Sequence, residues 1–316
     1  MKSLLFAVIL FVTICLATAF MAPPPGKKIK TKAALGEKLF LDKNLSKDSS
    51  VSCASCHLPA FAFADTLAFS IGIGGKPTSR NTPSVLNMKF RPHFFWDGRA
   101  SSLEEQALIP IENPDEMGVP INELINRLNR SPEYVKIFRR VFKSKPNAKN
   151  LAASFSAYER TLETVDSKFD FWSNNKGDLS EQEERGRQLF IGSKAKCFDC
   201  HFQIDFTDDT FKNIGLYNGK DLNDEGRYRI TRNALDKGKF KTPGLRNVAV
   251  TAPYMHNGMF ETLDQVLAYY NTPGHFVDGA INIDSAFREP LKLTPTEKKD
   301  IIAFLKTLTD KAYVRP

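Results

Sequence analysis

Cys53-Ala-Ser-Cys56-His57 and Cys197-Phe-Asp-Cys200-His201 each set two thiols and an imidazole within five residues, twice in one chain. The spacing has a chemical reason. Two thiols three positions apart can add to the two vinyl groups of one haem as thioethers, and the histidine that follows is held beneath the ring, where its nitrogen reaches the iron. The rival is a four-cysteine zinc site made of two CxxC knuckles. It leaves both histidines without a role and requires knuckles from opposite halves of the chain to meet. The residues therefore predict two covalent haem c groups, on Cys53/Cys56 and Cys197/Cys200, with His57 and His201 as proximal iron ligands.

The amino terminus agrees with this chemistry. Lys2 precedes an apolar run over residues 4–16, and Ala17-Thr-Ala19 is a small-x-small cleavage site, so residues 1–19 are expected to be a secretory signal peptide. An uncleaved anchor is the alternative, although the run is short for a membrane span. Cys15 lies in the leader behind Ile14, which is not the small residue a lipoprotein site needs. Four cysteines then remain, all used by haem. The net charge of +8 is offset by the propionates that two haems bring. The basic residues are scattered, with no basic stripe and interleaved aromatics, so no nucleic-acid partner is expected.

Elements to position the motifs can be read around them. Gly36-Glu-Lys-Leu39-Phe40 precedes the first motif, and Gly186-Arg-Gln-Leu189-Phe190 precedes the second. Ser180-Glu-Gln-Glu183 is a capping box that opens the second of these helices. A glycine followed by an apolar pair one turn later lets a second helix cross closely. The crossing helices are expected at 151–162, with Phe155, Tyr158 and Leu162 inward, and after the Thr294-Pro-Thr-Glu297 cap, with Ile301, Phe304, Leu305 and Leu308 on one face. Few segments alternate with strand period. The expected fold is mainly α, two tandem cytochrome c-like domains with long loops and one c-type haem each. The domains are expected at 20–165 and 166–316, joined by a polar linker over 164–175.

Asn81-Thr-Pro-Ser-Val-Leu-Asn87, Phe95-Trp96-Asp-Gly-Arg-Ala100, Thr242-Pro-Gly-Leu-Arg-Asn247 and Pro253-Tyr-Met-His256-Asn-Gly258 are long and specific motifs. Through them, from about residue 35 onward, the chain resembles the bacterial di-haem cytochrome c peroxidase and MauG superfamily. The resemblance implies a peroxidatic haem in the first domain and an electron-transfer haem in the second. It implies a bridging tryptophan at Trp96 and a peroxide pocket of Gln106, Pro110 and Glu116. Glu116 would be the acid-base catalyst, its pKa raised by burial beside haem. Gln106 would position peroxide or water, and Pro110 would crowd the distal face without ligating. A calcium ion would take oxygen donors from Asn81, Thr251 and Pro253. His256 would be a hydrogen-bonding residue at the haem and domain interface, while its residue type alone also allows a second ligand to the second haem.

Two departures bear on mechanism. The typical peroxidase has a histidine in the loop after the first motif, which ligates the first iron in the oxidised enzyme. Here the stretch is Ser70-Ile-Gly-Ile-Gly-Gly75, and no histidine lies between His57 and His93. The first haem is expected to be open at rest unless His93 swings back. The typical peroxidase also has a methionine fourteen residues beyond the position of His256. Here that position is Tyr270, as in MauG-like members, and a phenolate favours ferric and higher-valent iron. Met255, Met259 and His275 remain alternatives, and Tyr269-Tyr270 also reads as plain aromatic packing. The surface tryptophan through which MauG oxidises its partner corresponds to Ala195.

The expected activity is reduction of hydrogen peroxide to water in the periplasm, with electrons from a small donor such as a c-type cytochrome or cupredoxin. A MauG-like oxidation or maturation of a partner protein is the alternative, and a plain di-haem electron carrier is a third reading. Family members are often dimers, which makes a homodimer an expectation from resemblance alone.

Overall fold

The computed structural model describes residues 28–313, so the expected leader lies outside the described residues. The chain is mainly helical. α1 (Lys32–Leu41) starts where the Thr31 hydroxyl accepts the Ala34 N–H. The first motif follows as one helical turn, α2 (Cys53–Cys56). After a long loop come α3 (Leu103–Gln106), α4 (Ile109–Glu112), α5 (Ile121–Arg130), α6 (Pro132–Phe142) and α7 (Ala148–Glu159). The later part holds α8 (Lys168–Ser173), α9 (Glu181–Ile191), α10 (Tyr228–Thr231), α11 (Leu263–Asn271) and α12 (Pro295–Thr307). The only named strands among the described residues are β1 (Phe211–Lys212) and β2 (Phe240–Lys241), antiparallel, with Phe211 opposite Lys241.

Two helix crossings organise the molecule, and each is a glycine contact. A β-carbon on Gly36 of α1 would lie 2.0 Å from the Ser154 carbonyl oxygen of α7, and one on Gly186 of α9 would lie 1.9 Å from that of Asp300 on α12. Only glycine lets backbones approach this closely. Around the first crossing Leu35, Leu39, Phe40, Phe138, Leu151 and Phe155 form one core. Around the second, Phe190, Phe206, Ile301, Phe304, Leu305 and Leu308 form another. Val250 and Tyr313, from far along the chain, also pack on the first core.

Two expectations need adjustment. The helix read over 151–162 begins three residues earlier, because the Asn147 side chain caps it by accepting the Asn150 N–H (3.0 Å), and it ends at Glu159. The stretch read as linker contains α8. Its Ser167 and Asp170 form a reciprocal capping box, Phe169 packs edge-on against Phe206 and Phe304, and Asp170 accepts two 3.0 Å bonds from Arg246. The same polar residues that suggest a linker by composition are the ones that cap a helix.

A further repeat places the sites. Residues 82–110 and 242–270 follow one backbone plan at a spacing of 160 positions. Asn87 and Asn247 both adopt positive φ, and the side-chain oxygen of each accepts a backbone N–H, from Thr164 and Asp310 respectively. Phe94 pairs with Ala100 as Tyr254 pairs with Phe260. Phe95 and Met255 have positive φ, as do Gly98 and Gly258. Ser102 and Thr262 then cap the next helix. The difference that changes the helix path is at one position, where Pro110 stands for Tyr270. Proline lacks an N–H and crowds the carbonyl four residues back, so α3 stops at Gln106 while α11 continues unbroken.

Candidate active site

Both CxxCH motifs close the same way. The His57 N–H bonds to the Cys53 carbonyl (2.9 Å), and the His201 N–H bonds to that of Cys197 (2.9 Å). This tight turn puts the two sulfurs and the imidazole on one side. His57 Nδ1 then faces the Phe63 carbonyl (3.1 Å), and His201 Nδ1 faces that of Phe206 (2.9 Å). A carbonyl only accepts, so each Nδ1 carries the proton and each Nε2 lone pair is free for a metal. Burial lowers the pKa of both rings, keeping them neutral as ligands must be. The four motif cysteines form no disulfide among the described residues, and burial raises the thiols of Cys56 and Cys200 to about 11.

His57 opens on a cavity of about 540 Å³, lined by Cys53, Cys56, Trp96, Gln106, Pro110 and Glu116 among others. Gln106 ends α3, and Pro110 sits in α4, facing the same space. Glu116 accepts a 2.6 Å bond from the Asn113 amide, and desolvation raises its pKa above the usual carboxylate value against the opposing pull of Asn113 and Arg99. The histidine-free loop packs on this segment. The Ile73 N–H bonds to the Glu116 carbonyl (2.9 Å), and a β-carbon on Gly72 would lie 2.0 Å from the Asp115 oxygen. His93 lines the same cavity beside Phe211, ring centroids 5.4 Å apart.

His201 opens on a second cavity of about 240 Å³, lined by Cys197, Cys200, Met255, His256 and Tyr270. Neighbouring tyrosines part ways here. Tyr269 is fully buried and its hydroxyl donates to the Ile214 carbonyl, so it is the packing residue. Tyr270 faces the cavity, where desolvation and then the charges of Tyr269 and the two thiols push its pKa up. A cation in the cavity would reverse that balance. His275 is exposed and Met259 packs in a side cluster, and neither lines the cavity. Ala195, at the position of the MauG surface tryptophan, is buried in the second core.

Trp96 lines both cavities. Its Nε1 donates to the Asn81 carbonyl (2.8 Å), and its ring meets His256 edge-on at 6.5 Å. His256 stacks on Phe240 at 3.6 Å, and desolvation lowers its pKa to about 4, so it is neutral. The Asn81 amide nitrogen faces the carbonyls of Leu67 and Ala68 (3.2 and 3.3 Å), which leaves its side-chain oxygen for another partner. Asn81, Thr251 and Pro253 all line the second cavity. Ion pairs tie this wall together: Arg80 holds Asp97 and Asp224 (both 2.6 Å), and Arg91 holds Asp205 (2.6 Å) and Asp209 (2.8 Å). Such buried pairs fix geometry more than they add stability.

Two further sets of charged residues line the walls. Lys241 and Arg246 line both cavities, and Glu159 lines the first. Glu159 stands one helical turn after Phe155, so a helix that buries the phenylalanine also buries the carboxyl. In the string Tyr158-Glu-Arg160 it reads instead as a solvated charge pair. Each cavity thus offers two thiols and one imidazole with its Nε2 free, on a largely apolar wall, a donor set that fits one c-type haem apiece.

Known proteins match this arrangement. The family described as di-haem cytochrome c peroxidase matches residues 30–178. The methylamine utilization protein MauG of Methylorubrum extorquens is 39% identical over 282 residues, covering 88% of this chain and 78% of its own. The cytochrome c551 peroxidase of Pseudomonas aeruginosa is 36% identical over 288 residues, covering 88% and 78%. The crystal structure of a MauG-like protein associated with microbial copper homeostasis superposes with a TM-score of 0.82 at 34% identity, over 90% of this chain and 91% of that one. The chain belongs to the di-haem cytochrome c peroxidase family, and with it to the oxidoreductases that act on peroxide.

Proposed function

We propose that the chain reduces hydrogen peroxide to water in the periplasm, taking electrons from a small donor protein such as a c-type cytochrome or cupredoxin. The two halves, 20–165 and 166–316, act as cytochrome c-like domains with one haem each. The observation that carries this reading is the contrast between the two cavities. The first pairs an imidazole with a proline, a glutamine and a carboxyl, and the second pairs an imidazole with a phenol. When bound, the haems supply the redox chemistry, with peroxide turnover on the His57 side and electron entry on the His201 side. In the first cavity Gln106 orients peroxide by hydrogen bonding, and Pro110 leaves room for it by offering no donor atom. Glu116 would accept a proton from one oxygen of hydrogen peroxide and return it to the other, the leaving oxygen. Trp96 bridges the cavities. Tyr270 supplies an anionic oxygen to the second site, and Asn81, Thr251 and Pro253 supply oxygens to a calcium ion that stiffens the wall.

A steady-state assay of the two-haem protein with peroxide and reduced cytochrome c tests this, together with electron paramagnetic resonance of the oxidised state. Turnover, and a high-spin signal from the His57 side before any reductant is added, are expected. A low-spin first site that reacts only after pre-reduction would count against it and point to His93 as a displaced ligand. Tyr270 facing its cavity favours a second reading, MauG-like oxidation of a partner protein. In that case peroxide would be consumed only when the partner is present, and reduced cytochrome c would not substitute.

A further inference from the structure

Four carboxyl groups line the first cavity, and they fall into two kinds. Asp97 is ion-paired with Arg80 and Arg99, and Asp205 with Arg91 and Arg246, so both are held as anions. Glu116 and Glu159 have no such partner. Glu159 is the more isolated: it is 5% exposed, and its Oε2 is buried without a hydrogen-bond donor among the described residues. Its sequence neighbour Arg160 gives it little, because Glu104 already binds that guanidinium with both oxygens (2.7 and 3.0 Å) and takes the Ser156 hydroxyl too.

Peroxide reduction supplies the demand for such a group. Each H2O2 takes up two electrons from the donor and two protons, giving two waters. Glu116 moves one proton from one oxygen to the other and ends as it began, so it adds none. The protons consumed must come from elsewhere. A buried carboxyl with no donor is far costlier as an anion than as an acid.

Resting on the peroxidase reading above, we propose that Glu159 is the proton reserve of the first cavity. It holds one proton at rest, passes it through cavity water to the oxygen that remains in the cavity as the donor's electrons arrive, and is reloaded from solvent to supply the second proton of each peroxide. The carboxyl O–H breaks, a water O–H forms and hands its own proton on, and the electrons come from the donor protein. The groups around Glu159 are consistent with a neutral acid. Desolvation first, opposed by Arg160 and assisted by Glu104, raises its pKa to about 8. Cys53 of α2, Tyr158 of its own helix and Glu116 across the cavity add no positive charge.

The test uses the two-haem protein and its Glu159→Gln, Glu159→Asp and Glu116→Gln variants. Infrared spectra should show a protonated-carboxyl band that Glu159→Gln removes and Glu116→Gln retains. Turnover with peroxide and reduced cytochrome c should show a wild-type rate that falls as pH rises through about 8. Glu159→Gln should be slower by about a hundredfold at pH 6–7, the lower end of general acid–base effects, with that limb gone. Glu159→Asp keeps an acid and should retain band and limb at a shifted position, which separates loss of the proton from loss of the fold. A band that survives Glu159→Gln, or a variant that matches wild type in rate and pH profile, would overturn the relay alone. A wild type that is inert to peroxide would overturn the functional reading and the relay with it.

Discussion

The turns at 94–100 and 254–260 are one reverse turn built twice, yet the first presents an indole to the wall and the second an imidazole. The helix that follows each turn repeats the lesson. In α11 the chain runs unbroken to Tyr270, which faces the second cavity, whereas Pro110 at the matching position breaks the first copy into α3 and α4. That break leaves Gln106 at a helix end and puts at the position of Tyr270 a ring that carries no donor atom. One frame therefore lines two cavities differently: a phenol faces the second, whereas a proline, a glutamine and carboxyls line the first. The difference lies in single side chains set on shared backbone, so substitutions can move a site across it.

The largest effect should come from removing one copy of the motif. Cys197→Ala with Cys200→Ala should yield denatured protein that retains the mass of one haem instead of two, with the absorbance of the first intact and donor-driven turnover abolished. Loss of both haems would show that the two sites do not assemble independently. Next in size, Glu116→Gln should slow the reaction with peroxide by about 10²–10⁴-fold, measured by stopped flow, while haem content and the second site's spectrum stay as in wild type.

Tyr270→Met would remove the phenol that sets the second cavity apart and that we propose as the anionic donor. The midpoint potential of the second haem should rise by about 0.1 V, a fraction of the roughly 0.8 V that axial ligands span. A potentiometric titration checks it, and an unchanged potential would return the ligand question to Met255. The smallest effects concern the shared frame. Gly36→Ala and Gly186→Ala should each lower stability by about 1–3 kcal/mol, the usual cost of forcing a methyl into a packed contact, read from chemical denaturation. Because the two crossings are equivalent, a large inequality between them would show that one core carries more of the fold.

The local chemistry was legible wherever one residue type has one use. Cysteine pairs followed by histidine, capping boxes at Ser180 and Thr294, and glycines at helix crossings could be placed without coordinates, because each answers a local need. The α8 helix was not, since Ser167 and Asp170 serve a cap and a linker equally well until Phe169 finds its core. The resemblance singles out Tyr270 by its distance from His256, but residue type and periodicity alone do not separate it from Tyr269. They differ only in which face of α11 each occupies, and that face is decided by the Ile214 carbonyl more than fifty residues earlier. The 160-position repeat is weak in side-chain identity but strong in positive-φ positions and caps, which are properties of backbone.

The packing of Val250 and Tyr313 against the first core bears on the order in which the molecule can be completed. A chain that emerges amino terminus first presents α1, the first motif and α7 early, but one flank of that core stays uncovered until residues near 313 arrive. Contacts between such distant positions are slow to form. The earlier half therefore waits with apolar surface showing until the last described residues cover it.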